Sequence, residues 1–127
     1  MPILESIFHY KDFQCAVVFQ MLGHRCGYVK IPLWHPMYEK DYYEFNNIKC
    51  HGGITYGSHT LLGKVYRSGW WIGFDCAHID DAPDSQSMLK YFNKNIEEQR
   101  HSGYVKTLDF CRQECKNIVD QLIQMVE

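Results

Sequence analysis

Two short segments concentrate the residues able to do chemistry: Cys50-His51-Gly52-Gly53-Ile54-Thr55-Tyr56, and Gly69-Trp70-Trp71-Ile72-Gly73-Phe74-Asp75-Cys76-Ala77-His78 with Asp80 and Asp81 just beyond. Each sets ionisable or soft side chains beside glycines that let a backbone or ligand come close. His51, Asp75, Cys76, His78 and Asp81 are residue types of a metal or acid-base site, and zinc accepts His, Cys and Asp. The candidate metal ligands are His51, Cys76, His78 and Asp81. The candidate catalytic groups are His51, Asp75, Cys76 and His78, with Cys76 as a nucleophile activated by either histidine and Asp75 or Asp81 as orienting group. No Cys-x-x-Cys pair, His-Glu-x-x-His helix or deaminase signature accompanies them, so no motif names a cofactor, a metal or a reaction. An isolated Cys or His in a strand reads equally as a buried thiol or a hydrogen-bonded imidazole.

The same segments also suit binding without turnover. Trp70, Trp71 and Tyr56 offer stacking faces for a nucleotide-like ligand, Gly52 and Gly53 permit close backbone approach, and His51, Thr55, Asp75 and His78 orient polar groups. Stacking of one base on an aromatic is worth about 1–3 kcal/mol. The tryptophans read as well as core residues. Cations for a phosphate are sparse: Lys64 and Arg67 are near in sequence, with Arg25 and Lys30 further off. A third use is a protein-binding surface built from Trp34, Tyr38, Tyr42, Tyr43 and Phe45.

Several elements must position these groups. Phe13–Phe19 and Cys26–Ile31 are β-branched and aromatic runs joined by a turn containing Gly23, the pattern of an antiparallel hairpin. Pro32 and Pro36 stop the second strand, and residues 33–43 form a structured loop over a pocket or a sheet edge. Ile48–Tyr56 and Trp70–His78 are expected as paired strands. Alternation would put Ile72, Phe74, Cys76 and His78 on one face and Trp71, Gly73 and Asp75 on the other. Met88 through Glu98 is expected as a short helix or ordered loop. From Thr107 to Val126, Leu108, Cys111, Cys115, Ile118, Val119, Leu122 and Val126 recur at three- and four-residue spacing, so an amphipathic helix is expected with Thr107 as N-cap and Asp109 in its first turn. The fold class is α+β: an antiparallel sheet packed against a C-terminal helix, in a single domain spanning 1–127.

Composition removes some partners. The chain has 127 residues, 15% of them aromatic, and a formal charge of −2, so the basic patch that nucleic acid or an anionic membrane requires is lacking. No run reaches the ~18 apolar residues of a membrane span, and neither a basic n-region nor an apolar h-region opens the chain, which points to the cytoplasm. Six widely spaced cysteines read as free thiols, with Cys111 and Cys115 packed in the core. The aromatic content is compatible with a homo-oligomer that buries aromatics between subunits.

Read in order, His24-Arg25-Cys26-Gly27-Tyr28-Val29, Pro32, His35-Pro36, Lys40-Asp41-Tyr42, His51-Gly52-Gly53-Ile54-Thr55-Tyr56, Trp70 to His78 and Asp81 resemble a family of small bacteriophage and prophage proteins without assigned activity. The resemblance runs to the tail, Gly103-Tyr104-Val105 and Val119-Asp120-Gln121-Leu122. Cys50 departs from it, since an apolar residue is usual before His-Gly-Gly. The resemblance implies a phage setting. It shifts the expectation toward an anti-defence protein that sequesters a nucleotide-like signal in the host cytoplasm, with a small metal- or cysteine-dependent hydrolase of such a ligand, or an inhibitor of a host protein, as alternatives.

Overall fold

The computed structural model describes residues 1–96 and 103–127. Strands Ile3–Tyr10 (β1), Phe13–Phe19 (β2) and Arg25–Pro32 (β3) form an antiparallel meander. Lys11 and Asp12 both have positive φ, the conformation of the two-residue hairpin turn whose twist matches its strands. β3 pairs next with Gly69–Asp75 (β7), and β7 with the short Tyr56–Ser58 (β4), giving the order β1-β2-β3-β7-β4. Thr60–Leu61 (β5) and Lys64–Val65 (β6) make a small hairpin between β4 and β7. Asp81–Ala82 (β8) and Tyr104–Val105 (β9) form a parallel pair that brings the chain after β9 beside the end of β7.

Among the described residues, two α-helices complete the α+β fold. Ser85–Phe92 (α1) starts at Asp84, whose carboxylate accepts from the Ser87 amide. Leu108–Gln124 (α2) starts at Thr107, whose hydroxyl accepts from the Phe110 amide, and Asp109 lies in its first turn. α2 lays Cys111, Cys115, Ile118, Val119 and Leu122 on the sheet face built by Cys15, Val17, Val29, Ile31, Ile72 and Phe74. The opposite face is covered by the β5–β6 hairpin, where Leu61 packs with Ala16 and Trp71, and Tyr28, Tyr56 and Tyr66 surround them.

A buried ionic node ties distant elements together. The Arg25 guanidinium is 5% exposed and meets both oxygens of Glu5 at 2.6 and 3.2 Å, Asp84 Oδ2 at 3.0 Å, Ser87 Oγ and the Lys106 carbonyl. Tyr91 also donates to Glu5. Arg25 therefore pins β1, β3 and α1 to the segment after β9, and it is occupied by that task instead of serving a phosphate.

Several expectations are corrected here. Residues 48–55 are not a strand: Gly52 and Gly53 take φ of +69° and +79°, the chain turns, and pairing begins only at Tyr56. β7 ends at Asp75, with the chain bending through residues 77–80, so His78 does not share a strand face with Cys76. Among the residues read as a helix to Glu98, the helix stops at Phe92, and Glu98 itself lies outside the described residues. β1 was not anticipated. The loop at 33–43 is structured by His35, which is 2% exposed. Its Nε2 donates to the Leu122 carbonyl at the end of α2, and its Nδ1 accepts from the Met37 amide, which sets the tautomer. Phe45 is fully buried, so it cannot belong to a protein-binding surface, whereas Trp34, Tyr42 and Tyr43 are exposed. Among the described residues no helix is long and apolar enough to cross a membrane.

Candidate functional site

The end of β7 is where the predicted chemistry gathers. Beyond Asp75 the Cys76 amide makes a last bond to the Arg25 carbonyl, and residues 78–81 then close a turn in which the Asp81 amide donates to the His78 carbonyl. Asp81 Oδ2 accepts back from the His78 amide at 3.0 Å and from His51 Nε2 at 2.9 Å. The Asp81 side chain is fully buried, and Lys106 Nζ stands 3.0 Å from its Oδ1 as a charge contact without hydrogen-bond alignment. Burial by itself would raise the Asp81 pKa. The hydrogen bonds from His51 and the His78 amide, with the Lys106 contact, outweigh it and hold the carboxyl below the usual aspartate range.

A second imidazole-carboxylate pair lies alongside. His78 Nε2 is 3.3 Å from Asp75 Oδ1, again off hydrogen-bond alignment, and the His51 and His78 rings meet edge to face at 5.8 Å. Asp75 is held by the Thr55 hydroxyl at 3.0 Å and the Ala77 amide at 3.1 Å. The His51 ring packs edge-on against Phe110 of α2, and its backbone amide donates to Glu114. α2 thus fixes one wall.

The two glycines act differently. A Cβ on Gly52 would collide with His78 Nε2, whereas one on Gly53 would meet open space. Both replacements bear the left-handed strain of about 1–2 kcal/mol. Gly52→Ala is therefore expected to lose more stability than Gly53→Ala in chemical denaturation and, unlike it, to displace the His78 ring resonances in NMR spectra.

The structure separates the other predicted residues from this centre. Trp71 is fully buried on the far sheet face, and Tyr56 stands there with it in contact with Tyr28. Trp70 sits at the opposite end of β7, edge-on to His59 at 4.9 Å. Neighbours in a strand point to opposite faces, so Trp70 and Trp71 cannot grip one base. Cys76 is 2% exposed with its sulfur 3.7 Å from Cys111 Sγ. The Cys111 contact and burial push the Cys76 thiol strongly up, so it is neither an activated nucleophile nor a ligand at the centre. Cys50 is likewise pushed up, to about 11, by burial. Lys30 lies over the Tyr66 and Trp71 rings, and Lys64 over Tyr66, away from the centre.

Sequence reading missed Lys106 and Glu114. Neither has a local signal, because each reaches the centre only through the β8–β9 pairing or the seat of α2. Asp80 is visible as the neighbour of Asp81. Donor atoms of His51, Asp80 and Asp81 all lie within 4.8 Å of one another. One nitrogen with two carboxylate oxygens suits magnesium, manganese or zinc. The Asp81 Oδ1 and His78 Nε2 atoms, buried without hydrogen-bond partners, are further places for a ligand to satisfy.

The far end of β7 holds a different device. His59 Nδ1 faces the Tyr66 and Gly69 carbonyls, and its Nε2 lies 2.8 Å from Glu39 Oε2. Every partner is an acceptor, so both ring nitrogens carry protons when all three contacts are made. The hydrogen bond to Glu39 is the main reason the His59 pKa is raised. This contact contributes stability that is fully present below about pH 6.5, the unfolded value, and is lost as pH rises through the higher folded value. The stability gap between the parent chain and Glu39→Gln is expected to shrink over that rise, as measured by urea denaturation at several pH values.

Fold and site together define a small α+β domain with a histidine-carboxylate centre at the end of its sheet. No protein-family model, curated protein or solved structure matches the chain.

Proposed function

We propose that the protein captures a small phosphate-bearing, nucleotide-like molecule through a divalent cation at His51, Asp80 and Asp81. The reading rests on the convergence of those three donors beside the His78–Asp75 pair. Charge decides the need for the cation. Among the described residues, Asp75, Asp80, Asp81 and Glu114 bring four carboxylates to the centre, against the ammonium of Lys106. At about 4 Å, each like-charge pair costs about 4 kcal/mol at an effective dielectric near 20, so a bare phosphate is repelled and a cation-bound one is not. The bacteriophage setting follows from the motif resemblance. In a host cytoplasm such capture would remove a nucleotide defence signal.

A second reading, metal-assisted hydrolysis of the same ligand class, is favoured by one feature: His78 Nε2 stands 3.3 Å from the Asp75 carboxylate beside the His51 ring, near enough that a small realignment on ligand binding would orient it as a general base. A cation supplies that chemistry by acidifying bound water. Native mass spectrometry with Mg2+ or Mn2+ and nucleotides tests both. An unaltered, chelator-sensitive adduct supports capture. Conversion that His78→Ala abolishes, with the adduct retained, supports hydrolysis. A protein that takes up neither cation nor nucleotide overturns both and leaves the exposed Trp34, Tyr42 and Tyr43 as the surface to test for a protein partner.

A further inference from the structure

A cavity of about 350 Å3 lies behind the carboxylate of Asp75. Gly27 and Phe74 face α2 across the sheet, so their strand neighbours Cys26 and Asp75, which are paired with each other, face away from it and into this cavity. Met21, Leu22 and Ala77 supply apolar wall, and the Gln20 amide and Asp75 carboxylate are among its polar groups. Met21 and Leu22 occupy the tip of the β2–β3 hairpin, where polar turn formers are usual. They are 50% and 81% exposed, an apolar surface left in water beside a concave space.

Asp75 joins this cavity to the centre. One wall residue, its carboxylate, is the group 3.3 Å from His78 Nε2, and His78 in turn touches the His51 ring. Asp75 accepts one hydrogen bond on each oxygen, from Ala77 and Thr55. A carboxylate has about four acceptor sites, so capacity remains for an N–H of a ligand. We infer that the cavity receives the nucleobase of the proposed ligand, its flat faces against Met21 and Leu22 and an amino or ring N–H directed to Asp75. The inference rests on the cation-phosphate reading for the rest of that ligand. It also moves base recognition from the tryptophans, which the sheet holds elsewhere, to aliphatic side chains at a hairpin tip.

Calorimetry with Mg2+ present separates the two claims, using pyrophosphate, adenosine and ADP as probes. Leu22→Glu is the informative variant, since its side chain is exposed and outside the core. ADP is expected to bind the parent chain at least about tenfold tighter than pyrophosphate, the gain from removing roughly 60 Å2 of apolar base surface from water at about 25 cal/mol per Å2. Leu22→Glu should erase that advantage and leave pyrophosphate affinity unchanged. The inference is overturned if ADP binds no tighter than pyrophosphate, or if its advantage survives Leu22→Glu; pyrophosphate binding then still upholds the cation-phosphate reading. Adenosine binding that Leu22→Glu abolishes, with pyrophosphate not bound at all, upholds the cavity and removes the cation-phosphate reading. Absence of binding by all three probes overturns both.

Discussion

Asp81→Asn is expected to lower divalent-cation affinity by at least about 100-fold, as measured by calorimetry with Mn2+. Replacing a carboxylate ligand should cost at least as much as the 10–100-fold typical of changes in the outer shell of a metal site. The amide keeps the size of the side chain and one oxygen to accept from His51 and the His78 amide. It removes the charge, however, and sets an NH2 group beside the Lys106 ammonium, which is only 14% exposed. An unchanged Mn2+ affinity would take Asp81 out of the site. Acid titration gives an independent check. The Asp81 pKa is depressed in the folded chain, so its contribution to stability is present above the usual aspartate value of about 3.9 and is lost as pH falls through that value and below. The asparagine variant should lack this segment of the acid profile.

Arg25→Met is expected to reduce unfolding free energy by about 3–5 kcal/mol in urea titrations, because removing one partner of a buried ion pair strands the other. Glu5 is 3% exposed at its side chain, and without the guanidinium it keeps only the Tyr91 hydroxyl among its contacts in this node. The double variant Arg25→Met with Glu5→Met should recover much of the loss, since an apolar pair of similar volume avoids both desolvation costs. Asp84 remains satisfied by Ser87 in that background. A double variant no more stable than the single one would show that the node contributes chiefly through Asp84. The Arg25 guanidinium also donates to the Lys106 carbonyl, so the single variant should loosen the centre and weaken Mn2+ binding together with the fold.

How much was legible depended on the range of the contact that decides each element. The β2–β3 hairpin and α2 were readable because period-two and period-3.6 patterns, the Gly23 turn and the Thr107 cap are local. β1 escaped because its burial follows no strict alternation and its edge position asks little of its side chains. The segment before Tyr56 looked like a strand on composition, but two adjacent left-handed glycines carry the chain out of the sheet. The fold brings His51, Asp75, His78 and Asp81 together, and it places Trp70, Trp71, Tyr56 and Cys76 apart from them, because nearness in sequence is not nearness of side chains.

The amino-acid order by itself determined the α+β class, the core face of α2, the cap that starts it and the short list of residues able to do acid-base or metal chemistry. These follow from side-chain period, backbone preference and residue chemistry within a few positions. Only the tertiary structure decided which of those residues meet. β7 ends at Asp75, which turns His78 back onto that carboxylate, and the β8–β9 pairing delivers Lys106 to Asp81 from 25 positions away. Strand register sends Trp71 and Cys76 into separate parts of the interior. The physical reason is that register, strand ends and helix seating are set by the burial of the whole core, and each carries its attached side chains to places that no local pattern specifies.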